Sequence, residues 1–207
     1  QSTSCIQTTS FPPSYGIDTV NKYTHTCSAD RCTDCINDYT NCLMCDYANG
    51  YYLDVATKLC IHTTLMPRGK GANLSTKKVD VCVDVHCKDC SDDVAICQEC
   101  EWPNGYYKHP TLGCINSPFP SGFGPDTTLR TVVACKDPNC SACPIDSRYC
   151  TGCNNAGGWY VLGIGCVLNS AIPAGYGFDT ISNKYIKCSE PACSDCAADY
   201  STCVACD

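Results

Sequence analysis

Cys27-Ser-Ala-Asp-Arg-Cys32-Thr-Asp-Cys35-Ile-Asn-Asp-Tyr-Thr-Asn-Cys42-Leu-Met-Cys45 reads C-x4-C-x2-C-x6-C-x2-C, and the same spacing returns three more times. The copies run from Cys82 to Cys100, Cys135 to Cys153 and Cys188 to Cys206. A further cysteine, Cys5, Cys60, Cys114 or Cys166, precedes each copy, and these lead cysteines are 55, 54 and 52 residues apart. The chain is therefore four tandem repeats: 5–59, 60–113, 114–165, and 166–207, the last incomplete at its C-terminus.

Composition fixes the class. Twenty-four cysteines in 207 residues is about 12 %, above the roughly 8–10 % that marks a disulfide scaffold. An even count at repeated spacings points to an oxidising compartment, so the expected location is secreted, extracellular or cell-surface. Without cysteine, the 44 % hydrophobic content falls to about a third, with only two Met, two Trp and four Phe. Cross-links must then do the work of a large apolar core. A net charge of −7 and a pI near 4.9 argue against nucleic-acid partners, which call for a basic face. No apolar run in this segment approaches the roughly 20 residues of a membrane span. With that cysteine content and no signal peptide, Gln1 reads as a mature N-terminus or as the first residue of a segment.

The stretches between clusters repeat as well. After each lead cysteine comes a proline (Pro12, Pro67, Pro120, Pro173), then a glycine four residues on (Gly16, Gly71, Gly124, Gly177), then Asp18, Asn73, Asp126 or Asp179. The carboxylates could touch calcium, but one per turn falls short of the six to eight oxygens that ion takes. A turn-closing side chain is the better reading. Each spacer reads as a short β-hairpin, with strands predicted over 128–133 and 184–187. A second spacer carries Gly50-Tyr-Tyr-Leu53, Gly105-Tyr-Tyr-Lys108 and Gly158-Trp-Tyr-Val161, where Asn49-Gly50 and Asn104-Gly105 supply a turn. The aromatic pairs are expected to shield disulfides and contacts between modules. No window holds a 3.6-residue apolar period. The expected fold is small and disulfide-rich, mostly β or irregular with little helix: an elongated tandem-repeat rod of β-hairpin modules.

Paired C-x2-C motifs followed by Gly-Tyr-Tyr-Leu and another cysteine resemble the furin-like repeats of growth-factor-receptor cysteine-rich domains. In style the array is closest to those on protist surfaces, such as ciliate surface antigens and Giardia variant surface proteins. The resemblance covers all four copies and implies a stack of disulfide-braced β-hairpins. It also implies a linkage of first to third cysteine, second to fourth, and fifth to the cysteine beyond the aromatic strand. That linkage gives Cys27–Cys35, Cys32–Cys42 and Cys45–Cys60; Cys82–Cys90, Cys87–Cys97 and Cys100–Cys114; Cys135–Cys143, Cys140–Cys150 and Cys153–Cys166; and Cys188–Cys196 with Cys193–Cys203. The receptor repeats carry an extra bridge across the Pro-Gly-Tyr spacer for which this chain has no cysteines, so the spacer is expected to be held by packing alone.

Cys5 and Cys206 are left over, and three readings stay open. The chain is a fragment of a longer array; or Cys5 of one copy bonds Cys206 of the next in a head-to-tail polymer; or each lead cysteine pairs forward, as Cys5–Cys27 and Cys60–Cys82, with Cys32–Cys42 and Cys35–Cys45.

Zinc is the competing use of C-x2-C pairs, but tetrathiolate sites commonly separate their two pairs by roughly 15–20 residues, and here the gap is six. No metal, cofactor or catalytic residue is assigned. The four histidines (His25, His62, His86, His109) occupy different repeat positions and read as solvent-exposed. Two sequons, Asn73-Leu-Ser75 and Asn139-Cys140-Ser141, make Asn73 and Asn139 glycosylation candidates, and Ser/Thr-rich spacers could carry O-linked sugar. The expected function is a non-enzymatic extracellular structural or surface protein that self-associates or belongs to a longer array; the alternative is a receptor or adhesin ectodomain binding a protein or glycan. With each bridge contributing about 2–4 kcal/mol, the reduced chain is expected to be unfolded. A cooperative thermal transition of native-like size in excess reductant would contradict this.

Overall fold

The computed structural model describes residues 11–206. The chain divides into two compact units, Gln1–Glu101 and Trp102–Asp207. Within the described residues the secondary structure consists of short β-strands and single 3-10 turns.

In the first unit a spacer hairpin (Tyr15–Ile17 with Thr24–Thr26) leads to a cluster hairpin (Cys32–Asp34 with Met44–Cys45). A 3-10 turn, Tyr47–Asn49, ends at Gly50 in the left-handed region, at φ 81°. An aromatic hairpin follows, Tyr51–Asp54 with Leu59–His62. The spacer hairpin of the next repeat, Lys70–Asn73 with Lys78–Val81, joins it through a parallel pairing of Leu53 with Lys78. The result is a four-stranded sheet built from two repeats. The cluster hairpin Cys87–Asp89 with Glu99–Cys100 closes the unit.

The second unit repeats this order. Aromatic strands Tyr107–His109 and Trp159–Leu162 pair in parallel with spacer strands Thr131–Ala134 and Lys184–Lys187, giving two more four-stranded sheets. The strand predicted over 128–133 begins three residues later, because Thr128, Leu129 and Arg130 form the hairpin turn and Arg130 takes φ 59°.

The spacer is not held by packing alone. Its outer strand bonds the backbone of its own cluster: in the second repeat Gly69 N–H donates to Lys88 O, Ala72 N–H to Ser91 O, and Val94 N–H back to Ala72 O, at 2.9–3.1 Å. Such close approach requires glycine. A Cβ on Gly71 would lie 1.9 Å from Cys90 O, and on Gly16, Gly124 and Gly177 it would lie 2.0–2.1 Å from Cys35 O, Cys143 O and Cys196 O. The turn ahead of this strand is opened by proline, with Lys70 N–H donating to Pro67 O across Gly69 at φ 72°, the positive φ of a type II turn.

Cysteines form most of the core. Cys32, Cys35, Cys42 and Cys45 are buried with Ala29 and Leu53 in one cluster, and Cys135, Cys140, Cys143, Cys150 and Cys153 with Val161 in another. Gly71→Ala is expected to destabilise the fold by at least about 3 kcal/mol, because backbone rather than a side-chain tip blocks the new methyl. Gly152→Ala, whose Cβ would meet nothing nearer than 3.3 Å, is expected to be tolerated. Thermal melts of the two oxidised variants make the comparison, and equal melting points would contradict it.

Candidate functional site

The feature with consequences for function is the junction between consecutive repeats, and it is built from the aromatic strand outward. Successive residues on a strand face opposite sides. Tyr51 and Leu53 accordingly pack on the cysteine core of their own repeat, while Tyr52 packs with Ala72 and Val79 of the next repeat, against Ile61 and Met66. In the second unit Trp159 and Val161 face the cysteines. Tyr160 there meets Phe178 and Tyr185 edge-on, at 5.1 and 5.8 Å between ring centres. Tyr185 donates its hydroxyl proton to Asn169 Oδ1, and burial pushes that phenol above its ordinary value.

A cation–aromatic contact closes the same junction from the surface. Lys77 lies over the Tyr47 ring at 4.9 Å, and Arg130 over the Trp102 ring at 4.3 Å. Both cations occupy the positive-φ position of the spacer turn, and both rings follow the fifth cysteine by two residues. The repeated offset was visible in the sequence, but only the parallel pairing brings the two positions together.

The disulfides link Cys27–Cys35, Cys32–Cys42 and Cys45–Cys60 in the first repeat, and Cys82–Cys90 with Cys87–Cys97 in the second. The third has Cys135–Cys143, Cys140–Cys150 and Cys153–Cys166, and the fourth Cys188–Cys196 with Cys193–Cys203. Cys100 and Cys114 are also disulfide-bonded. The forward pairing of Cys60 with Cys82 is thereby replaced: Cys60 bonds backward, to Cys45. Neighbouring bridges touch, with 3.6 Å between the sulfurs of Cys42 and Cys60 and 3.4 Å between those of Cys150 and Cys166. Sulfur triads such as Cys32, Cys42 and Cys60 lie within 4.8 Å, yet each of these sulfurs is spent in a disulfide. Among the described residues Cys206 bonds no other cysteine, and it is exposed. Cys5 lies outside the described residues.

Carboxylates fix the turns. Asp18 Oδ1 accepts from the N–H groups of Val20 and Asn21, Asp126 Oδ1 from Thr128 and Leu129, and Asp179 Oδ1 from Ile181. Asn73 does the same for Ser75 and Thr76. A second series, which the spacing analysis passed over, lies three residues beyond the third cysteine: Asp38, Asp93, Asp146 and Asp199. Each accepts from the N–H two residues on. Hydrogen bonds from Asn21, Thr40 and Ser201 hold Asp18, Asp38 and Asp199 below the usual carboxylate range. Asp146 is held furthest down, chiefly by the Arg148 guanidinium, which donates to both of its oxygens at 2.9 Å.

Three of the four histidines are half-buried rather than solvent-exposed; His25 alone is exposed. His62 accepts from Thr64 N–H and meets Tyr51 edge-on at 4.9 Å, and His109 Nδ1 accepts from Thr111 and Leu112. The Asn73 side chain is equally engaged, its Nδ2 donating to Asp80 at 2.8 Å. Asn139 is half-buried, beside the disulfide-bonded Cys140. An open groove of about 350 Å³ lies between spacer and cluster of the first repeat, with Asp30, Arg31 and Asp46 on its walls. In the second repeat the position of Asp46 is Glu101, which Arg68 reaches at 2.8 Å.

Comparison with protein-family models, curated proteins and solved structures returns no match for this chain.

A carboxyl depressed on folding contributes stability above its unfolded value, roughly pH 3.9, and that contribution is lost as pH falls through the folded value. Asp146→Asn is therefore expected to lower the melting temperature at pH 7, and the gap to the parent should narrow below about pH 4. Melting curves from pH 7 to pH 2 test this; a gap that holds constant across the range would contradict it.

Proposed function

We propose that the chain is a non-enzymatic structural protein of the furin-like repeat type, secreted or held at a cell surface. In this reading it is the protomer of a disulfide-stabilised head-to-tail filament or coat. A chain so dense in disulfides belongs to an oxidising environment. No helix among the described residues is long and apolar enough to cross a membrane.

The observation that carries the reading is the exposed thiol of Cys206. It stands at the fifth-cysteine position, where Cys45 and Cys153 are bonded to the lead cysteines Cys60 and Cys166. Bonding of Cys206 to Cys5 of a neighbouring copy would reproduce that linkage between molecules. The junctions described above support the mechanical part: each joins consecutive repeats through backbone hydrogen bonds and side-chain packing, and two of them add a surface cation–aromatic contact.

Electrophoresis without reductant is expected to give a ladder that collapses on reduction and is absent from Cys206→Ser. A clean monomer with no titratable thiol would reject the filament.

A further inference from the structure

The repeats share one backbone frame between spacer and cluster. In the first, Ser14 N–H donates to Thr33 O, Cys27 N–H to Ser14 O and Asp46 N–H to Arg31 O, at 2.8–3.0 Å. In the second, the same three bonds run from Gly69 N–H to Lys88 O, Cys82 N–H to Gly69 O and Glu101 N–H to His86 O, at 2.9–3.0 Å. Residues at equal offsets therefore occupy equal places in the two repeats.

What spans that frame differs. In the second repeat Arg68 leaves the spacer and reaches the cluster, its Nη2 donating to Glu101 Oε1 at 2.8 Å. In the third the two positions are Ser121 and Asn154, neither charged, and the Ser121 hydroxyl donates to Ser141 O. In the fourth, Ala174 stands at the spacer position and its counterpart Asp207 lies outside the described residues. The first repeat keeps the carboxylate, as Asp46, but has Pro13 in place of the arginine. Proline lacks the reach, and between spacer and cluster lies the open groove of about 350 Å³, with Ser14, Thr33, Asp30 and Asp46 on its walls. Asp46 is half-buried. One of its oxygens accepts from Asn49 Nδ2 at 2.7 Å, and a carboxylate has acceptor capacity for more than one such bond. Arg31 is engaged elsewhere, its guanidinium 5.4 Å from the centre of the Tyr51 ring and 4.0 Å from Asp30. Residues 1–10 contain no Lys or Arg.

We propose that the groove of repeat 1 binds an arginine side chain of a protein partner, supplied from outside where repeat 2 supplies its own. Arg68 on Glu101 shows which group this frame accommodates. A planar guanidinium can set its fork of donors on the Asp46 carboxylate, and Asp30 adds negative charge at the rim. The chain's net charge of −7 favours approach of a cationic partner. A calcium ion takes six to eight oxygens, more than two carboxylates and two hydroxyls readily supply. The site uses neither Cys206 nor the junctions between repeats, so it stands apart from the assembly reading above.

The test uses the full chain with its disulfides intact, isotope-labelled for NMR and carrying Cys206→Ser to prevent covalent linkage. The probe is an end-blocked glycine peptide with a single central arginine. Amide shifts at Arg31, Thr33 and Asp46 are expected to saturate in the millimolar range, as suits one exposed ion pair, and to shrink with added salt. The lysine counterpart of the peptide should bind about threefold more weakly or worse. Asp46→Asn, which can still accept from Asn49, should weaken binding about threefold or more. Pro13→Arg installs the arrangement of repeat 2 and should abolish binding. Arg68→Ala should open a second site, with new shifts at Lys88 and Glu101. Unchanged disulfide mass maps establish that the variants fold. Absence of saturable shifts at the three amides overturns the proposal, as does binding that Pro13→Arg and Asp46→Asn leave unchanged. So does an Arg68→Ala chain with no second site. An equal response to the lysine peptide, or the same shifts produced by calcium alone, overturns the assignment to a guanidinium.

Discussion

The contact on which the rest depends is that between a spacer glycine and the third cysteine of the cluster. Cys35, Cys90, Cys143 and Cys196 have no exposed surface, and each presents its carbonyl where the glycine's Cβ would be. With no side chain in the way, the spacer strand lies against the cluster closely enough to share backbone hydrogen bonds. The turn residue two positions on, a carboxylate in three repeats and the Asn73 amide in the second, then fixes where the chain reverses. The returning strand thus reaches the aromatic strand of the preceding repeat in one register, and that parallel pairing positions everything at the junction.

Disulfides replace a conventional core economically because their sulfurs also pack. Stacked bridges place sulfurs 3.4–3.6 Å apart, so a bridge serves as linkage and as apolar filler together. The aromatic strand divides its faces between two jobs, one residue sealing the bridges of its own repeat and the next entering the core of the junction. The spacer edge of each four-stranded sheet is also covered, by hydrogen bonds to its own cluster. An open strand edge is a template for unwanted pairing, and this arrangement removes one at every repeat.

Cysteine spacing made the modules legible, and with them the β-hairpins and the near-absence of helix. Asp18, Asn73, Asp126 and Asp179 were readable as turn-closing residues because their offset from Gly16, Gly71, Gly124 and Gly177 is constant. The parallel join between repeats was not readable, since Leu53 and Lys78 lie 25 residues apart in sequence and a single short bridge carries no periodic signature. The pairs Tyr47–Lys77 and Trp102–Arg130 were hidden for the same reason. Thr128-Leu-Arg130 looked like strand by propensity, but the turn demanded by Asp126 overrides it. Half-buried His62 and His109 looked like surface residues because histidine at a turn can stand in for a capping carboxylate, as His109 does where the first aromatic hairpin has Asp54.

The four-stranded sheets have a consequence for how such arrays change length. Counted from the lead cysteine, the sequence period cuts through an aromatic hairpin, since Cys60 lies within Leu59–His62. The segment that carries a whole sheet and its cluster begins instead near the 3-10 turns at Tyr47–Asn49, Trp102–Asn104 and Asn155–Gly157. Duplication or loss of a gene segment bounded at those turns leaves every sheet intact, whereas a crossover at the lead cysteine leaves two half-sheets that must find new partners. Unequal recombination in a gene of this kind should therefore leave viable products whose breakpoints fall ahead of the aromatic pairs.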